Sequence, residues 1–519
     1  MKKIMVGILM GFILLYGTSC KKYLDINSNP NMATSATPEL ILPQAITYTA
    51  NVLNSFNNYG AQTGLYAANA GGYGGFGESI TYNYTTTFTG LWSMSYDNLE
   101  DYQAILNKTQ NLDQYDFYNG VARIMKVNHF ELLVDAFNDL PYTNALKGAD
   151  ILNPTYSVAK DVYKDLAIQL DSAIAKINAG ANVPGETPLG ATDVIFGGNM
   201  VQWKQLANTL KLRLIIRGKG KVEFANTTFS PDGFLTTDAL INPGYTRDGG
   251  KQNPSWESWA YGATGSAANK AWMPSKFIFG FYDGHSISDS ARGRAIYYQF
   301  PKTGINQLGI EGTALTSCPT GSFWFSGSAR DGKSNGNQIG ILKGPNAGFP
   351  LLMASESFFL QAEGNLNGIL STGSAASFFD MGIAAAFKYT YQLPDKSILP
   401  GVSVADTVAA YKVTNASNYL VNYAIASSDA QRLEAIITQK FIALNFINSH
   451  EAWNEYRRTH YPTVMAGNGY STFASSVSES TRPDKLPTRI LYPISEATYN
   501  GANVPKGINS FTSLIFWAQ

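Results

Sequence analysis

The chain has 519 residues, and its 38 basic and 38 acidic side chains cancel to a formal net charge of zero. That balance excludes capture of nucleic acid by bulk charge, and the length is ample for a large buried core. Only 15% of the residues are charged against 30 Tyr, 28 Phe, 8 Trp and 48 Gly, a composition that suits stacking on uncharged ligands better than ionic capture.

At the start, Lys2 and Lys3 precede an apolar run from Ile4 to Tyr16, and the small residues Gly17, Thr18 and Ser19 lead into Cys20. The run is shorter than the roughly 20 residues a membrane crossing needs. The charged stretch beginning Lys21, Lys22 follows it at once. Residues 1–19 therefore read as a secretory signal, Cys20 as an acylated lipid anchor, and residues 20–37 as its tether. Cys318 is the only other cysteine, so a lipidated Cys20 leaves no intramolecular disulfide to brace the fold.

Helical periodicity then comes in pairs. Residues 91–106 carry Trp92, Tyr96, Leu99, Tyr102 and Leu106 at spacings of three and four, and residues 121–134 carry a similar stripe. Residues 158–177 and 200–216 make a second pair, the latter ended by Gly218. Residues 351–366, led in by Pro350, face 374–391 as a third, and 429–447 with 451–458 form a fourth. The fold class expected is mainly α, a helical solenoid of four tetratricopeptide-like pairs.

Residues 218–348 interrupt this pattern with Gly, Asn, Ser and aromatics, and a shorter stretch of the same kind spans 71–90. Long loops are functional or disordered, and the aromatic content argues against disorder. The expected organisation is one domain over 38–519, with a scaffold at 38–217 and 349–519 and a ligand-facing insertion at 218–348. The candidate ligand-binding residues are Tyr73, Phe76, Trp92, Trp256, Trp259, Trp272 and Trp324. Glycine neighbours can leave a ring face open to the C–H face of a sugar. Asn253, Asn335 and Asn337 could then read sugar hydroxyls.

Several separated blocks resemble the SusD/RagB family of outer-membrane nutrient-binding lipoproteins, in its SusD-like subgroup. They are KKYLDINSNPN (21–31), DAFNDLPYTNAL (135–146), WKQLANTLKLRLIIR (203–217), SESFFLQAEGNLNG (355–368), ITQKFIALNFINSHEAWNEYRRTHYP (437–462) and RILYPISEATYN (489–500). The resemblance implies a tetratricopeptide-like helical fold, a surface lipid anchor, partnership with a SusC-like TonB-dependent barrel, and binding of glycan or peptide without catalysis. Two features depart from the pattern. The DPR-like segment of the family is Ser290, Ala291, Arg292 here, and the residues after Cys20 are basic where acidic ones favour export to the cell surface.

The blocks also have a purely structural reading. In EAWNEYRR, helical spacing sets Glu451 near Glu455 and Arg458 and sets Trp453 near Arg457, so ion pairs and a cation-π contact can lock a helix end. Glu356 and Glu363, two turns apart, share a face that cations of a neighbouring helix can meet. Tyr492 and Pro493 suit a buried return of the chain.

Enzyme motifs fail on geometry. His450 and Glu451 are followed by Asn454 where a zinc protease needs its second histidine. Asp331, Lys333, Asn335 and Gly336 echo a calcium loop, but Lys333 would repel the ion and Leu342 stands where a bidentate Glu belongs. The histidines, His129, His285, His450 and His460, do not cluster in sequence. Paired carboxylates for glycoside hydrolysis are set by the fold and not by a motif. The expectation is a binder with no catalytic residue, cofactor or metal. A peptide-binding lipoprotein of the same family or a protein-interaction module is the alternative, and exposed, grouped aromatics are what separates a glycan platform from the latter.

Overall fold

The computed structural model describes residues 36–312, 322–326, 339–465, 467 and 469–519. The signal, Cys20 and all but the end of the tether therefore lie outside the described residues, as do the calcium-loop echo and Asn335 and Asn337.

The fold is mainly helical and tetratricopeptide-like. Helix α1 (Pro38–Gly60) starts with Pro at its first position, where no intrahelical N–H is needed. Helices α2 (Gly90–Thr109) and α3 (Asp116–Phe137) pack as the first pair, and α4 (Ala159–Gly180) and α5 (Met200–Arg217) as the second. The Asn199 side chain caps α5 by accepting from the N–H groups of Val201 and Gln202. The third pair is α6 (Ala354–Leu366) on α7 (Ala375–Tyr391), the latter capped by Ser374. A helix α8 (Val404–Thr414) precedes α9 (Asp429–Ala443) and α10 (Ser449–Thr459).

Adjacent pairs also touch, α3 on α4 and α5 on α6, which carries one core through the array. In the fourth pair, α9 lies mainly on α6 while α10 returns to α1. The return is fastened by Asn57 of α1, whose side-chain oxygen accepts from the N–H of Ser449 at 2.8 Å and from its hydroxyl at 2.6 Å. The last long helix thus closes onto the first.

Two-stranded ribbons fasten the remaining chain. Strand β1 (Ala67–Asn69) pairs antiparallel with β5 (Trp272–Pro274), β2 (Leu140–Pro141) with β3 (Tyr156–Ser157), and β4 (Ala239–Ile241) with β6 (Phe349–Leu352). The last of these staples the segment between α5 and α6 at both ends. Its described part holds only short helices, Pro254–Trp259, Lys276–Phe279 and Ser290–Ile296. In the third of these, Arg292 is buried against Asp289, with Phe387 4.2 Å and Tyr411 5.2 Å from its guanidinium. This pairing occupies the place of the DPR-like segment.

A buried ionic network joins α3, α5, α6, α9 and α10. Arg213 donates to both oxygens of Glu131, at 2.8 and 2.6 Å, and to Glu356 at 2.9 Å. Arg217 bridges Glu131, Asp135 and Glu451, and Lys440 meets Glu451 at 2.8 Å. Arg458 holds Glu363 at 2.7 Å and also pairs with Glu455, while the Arg457 guanidinium lies 5.3 Å from the Trp453 ring. Burial opposes the charge on Glu451, but Arg217, Lys440 and Arg213 together outweigh it and hold the carboxyl well below its ordinary value. These are the cationic partners that the spacing of Glu356 and Glu363 anticipates, and they are structural.

Candidate ligand-facing surface

Four of the seven aromatic candidates prove to be core, which corrects the expectation of an open ring face for them. Trp92 packs edge-on against Phe137 at 5.1 Å and Tyr492 at 5.7 Å. Trp256 lies against Tyr261 and Phe325. Trp259 and Trp324 meet Phe446 from two sides, each with ring centroids 4.5 Å away, one edge-on and one stacked. Trp324 is only 1% exposed, and the Trp259 indole N–H donates to Asn58 at 2.8 Å. Other rings cover these indoles, because an indole gains most where its whole area leaves water. Asn253 is likewise committed. It caps Ser255 and Trp256 and donates to the Ala347 carbonyl, so it is not placed to read a ligand.

Of the other three candidates, Phe76 and Trp272 meet, and Tyr73 belongs to the loop that carries Phe76. Strand β1 opposes β5 with Asn69 facing Trp272, and the Ala70 N–H donates to the Ala271 carbonyl at 2.7 Å. Antiparallel pairing therefore makes the glycine-rich loop after β1 and the loop before β5 leave the same end of one ribbon. Phe76 and Trp272, both half-buried, meet edge to face at 5.2 Å and 79°. Tyr73, in the same glycine-rich loop, is 40% exposed. The loop needs its glycines. Gly72, Gly75 and Gly77 have φ of 84°, 87° and 48°, and a Cβ added at Gly75 or Gly77 would meet nothing.

Amide side chains hold this ribbon end. Asn69 accepts from the Gly309 N–H at 2.7 Å and donates to the Ile310 carbonyl at 2.9 Å, and Asn269 bonds both the N–H and the carbonyl of Trp272. Beside the loop, Glu78 accepts from the N–H groups of Thr86 and Thr87 at 3.0 and 2.9 Å and from the hydroxyls of Thr85 and Thr87. Burial would raise its pKa, but these bonds prevail and lower it to about 2. Glu78 is thus spent on pinning residues 85–87. Sequence reasoning passed over Asn69 and over Asn306, whose amide donates to the Asn69 carbonyl at 2.7 Å, because nothing local marks an asparagine whose partners lie up to 240 residues away.

The ribbon end is therefore a glycine-framed aromatic group with little charge, able to stack a flat apolar face. Among the described residues, no group of three or more His, Cys, Asp or Glu side chains is placed to hold a metal ion. Among them also, no helix is long and apolar enough to cross a membrane.

Comparison with known proteins bears on the whole architecture. Residues 30–230 match a family described as starch-binding and associating with the outer membrane, and residues 341–513 match the SusD and RagB outer-membrane lipoproteins. No curated protein matches the chain. A SusD homologue from Bacteroides uniformis is similar at 21% identity, over 92% of this chain and 99% of its own, with a TM-score of 0.68. A SusD homologue from Bacteroides fragilis is similar at 18% identity, over 93% and 100%, with a TM-score of 0.65. A structure described as a chitin-binding SusD homologue from Flavobacterium johnsoniae is similar at 21% identity, over 91% and 98%, with a TM-score of 0.65. Two matched segments that span both ends of the helical array, and whole-chain likeness to such homologues, leave one assignment: the chain belongs to the SusD/RagB family of outer-membrane lipoproteins.

Proposed function

We propose that this protein is a cell-surface lipoprotein that binds neutral glycans at Tyr73, Phe76 and Trp272, without catalysis, and passes them to a SusC-like TonB-dependent barrel. The observation that carries this reading is the edge-to-face pair of Phe76 and Trp272 at the end of the β1 and β5 ribbon, with the exposed Tyr73 three residues before Phe76 in the same glycine-framed loop. Residues 218–348, which supply Trp272, would then be the ligand-facing part of the fold. The chitin-binding description of the Flavobacterium johnsoniae homologue supports a sugar as cargo. The test is calorimetric titration of the lipid-free protein with chitin oligosaccharides, starch oligosaccharides and short peptides. Trp272→Ala and Tyr73→Ala should each weaken glycan binding about tenfold, the loss of roughly 1.4 kcal/mol of stacking, with the melting temperature little changed. Wild-type affinity in both variants would place the site elsewhere. Binding of peptides alone would favour the peptide-cargo alternative.

Anchoring through Cys20 is a separate part of this reading. Cys20→Ala should move the protein from the membrane pellet to the soluble fraction and abolish labelling by a fatty-acid analogue, because the acyl chains carried by Cys20 are the proposed attachment and stable anchoring takes more than one chain. A Cys20→Ala protein that still pellets and still labels would refute the lipoprotein assignment of this cysteine.

A further inference from the structure

A cavity of about 660 Å³ opens between α2, α3 and α4, and it shares no lining residue with the aromatic group at the ribbon end. Its size falls within the range of about 300–1,000 Å³ usual for small-molecule sites. Arg123 and Lys126 of α3 line it, three positions apart and hence neighbours on one helix face. Arg123 donates to the side-chain oxygens of Asn119 at 2.8 Å and Gln169 at 2.6 Å, and Lys126 to that of Gln103 at 2.6 Å. All three acceptors are neutral amides.

The nearby carboxylates are committed or remote. Asp165 accepts from the Tyr142 hydroxyl and from the Gln169 amide, and Lys176, also in the lining, is neutralised by Asp116 at 2.7 Å. Lys147 and Asp161, of opposite charge, are both exposed at the edge of the cavity. Two half-buried cations thus face the space, with Asp165 acting on both and the exposed Glu100 of α2 acting on Lys126. A cation withdrawn from water is ordinarily paired. Burial first, and then repulsion from Arg123 and Lys147, push the Lys126 ammonium down to about 8, the strain an incoming anion would relieve.

We propose that this cavity binds a small ligand through a carboxylate held between Arg123 and Lys126, with the amides of Gln103, Asn119 and Gln169 meeting the polar groups beside it. The arginine fork matches a carboxylate in two parallel bonds, and lysine adds a point charge beside it. Such a carboxylate comes from a uronic acid in an oligosaccharide or from the free C-terminus of a short peptide, and the two sources differ in what surrounds the acid.

The test is titration of the lipid-free protein with trigalacturonate and its methyl ester, and with a tripeptide carrying a free or an amidated C-terminus. At least one acid should bind, and its ester or amide should bind at least tenfold more weakly. Arg123→Gln and Lys126→Met should each weaken that binding at least tenfold while the circular-dichroism spectrum and melting temperature stay as in wild type. Tyr73→Ala should leave it unchanged, and Arg123→Gln should leave any binding of chitin oligosaccharides unchanged, so failure here is separable from failure of the glycan reading. The proposal is overturned if neither acid binds, if acid and neutral counterpart bind alike, or if binding survives both variants. The acid that binds identifies the source.

Discussion

Replacing Arg217 by Met should destabilise the folded protein by about 3–5 kcal/mol, the usual result of deleting one member of a buried ionic group while its partners stay. Arg217 is essentially buried and touches Glu131 at 3.1 Å, Glu451 at 2.6 Å and Asp135. Asp135 additionally accepts from the Trp517 indole at 2.9 Å, the Asn454 amide at 3.1 Å and the Tyr163 hydroxyl. Burial already pushes the Asp135 carboxyl up to about 7, against the pull of Arg217 and with the push of Glu131. Without the guanidinium, three carboxylates of α3 and α10 would face one another with too little positive charge between them. They must then take up protons or part, and either outcome loosens α10 and the C-terminal Trp517 from α3. Guanidinium denaturation reads the loss directly. A shift in midpoint worth less than about 1 kcal/mol would mean that water reaches this network in solution, as it does for surface pairs.

Gly60→Ala should also destabilise, by about 3 kcal/mol, although at an ordinary helical position the change would gain about 1 kcal/mol. Gly60 ends α1 just where α10 begins. A Cβ there would lie 2.2 Å from the Ser449 carbonyl carbon and 2.3 Å from the His450 nitrogen, both backbone atoms that cannot turn aside. The backbone at Gly60 is itself right-handed helical, with φ −60°, so conformational strain plays no part and the clash alone sets the sign. The α10 N-terminus would have to withdraw, stretching the bonds of Ser449 to Asn57. Comparison of denaturation midpoints decides the matter. An alanine variant as stable as wild type would show that α1 and α10 do not approach this closely.

Helices with an uninterrupted apolar stripe were legible from their own residues. The spans around α2 to α7 and α9 agree with the structure to within a few residues at most ends. Helix α1 was not legible, because Thr49, Asn54 and Asn57 fall on its buried side. There they bond His129 and Tyr102, Ser258, and the Phe446 carbonyl with Ser449. Buried polar groups satisfied by distant partners cost little in the fold but erase the pattern in the sequence. Helix α8 was missed for another reason, since its apolar face is short, with Tyr411 its one buried side chain and only Val404 and Val408 half-buried beside it.

Residue types and order along the chain were thus sufficient for the helical class, the family and the partner-seeking faces of Glu356 and Glu363. Which rings remain open was settled only by packing. Trp259 and Trp324 looked as available as Trp272, yet Phe446, more than a hundred residues further along, covers both. Trp272 escapes that fate because its strand pairs with β1 at an end where glycines leave room. The cavity between α2, α3 and α4 was equally hidden, since nothing in the sequence marks Arg123 and Lys126, against which the neighbouring helices bring the amides of Gln169 and Gln103. Hydrophobic periodicity is a property of neighbours in sequence, whereas exposure and charge balance are sums over neighbours in space.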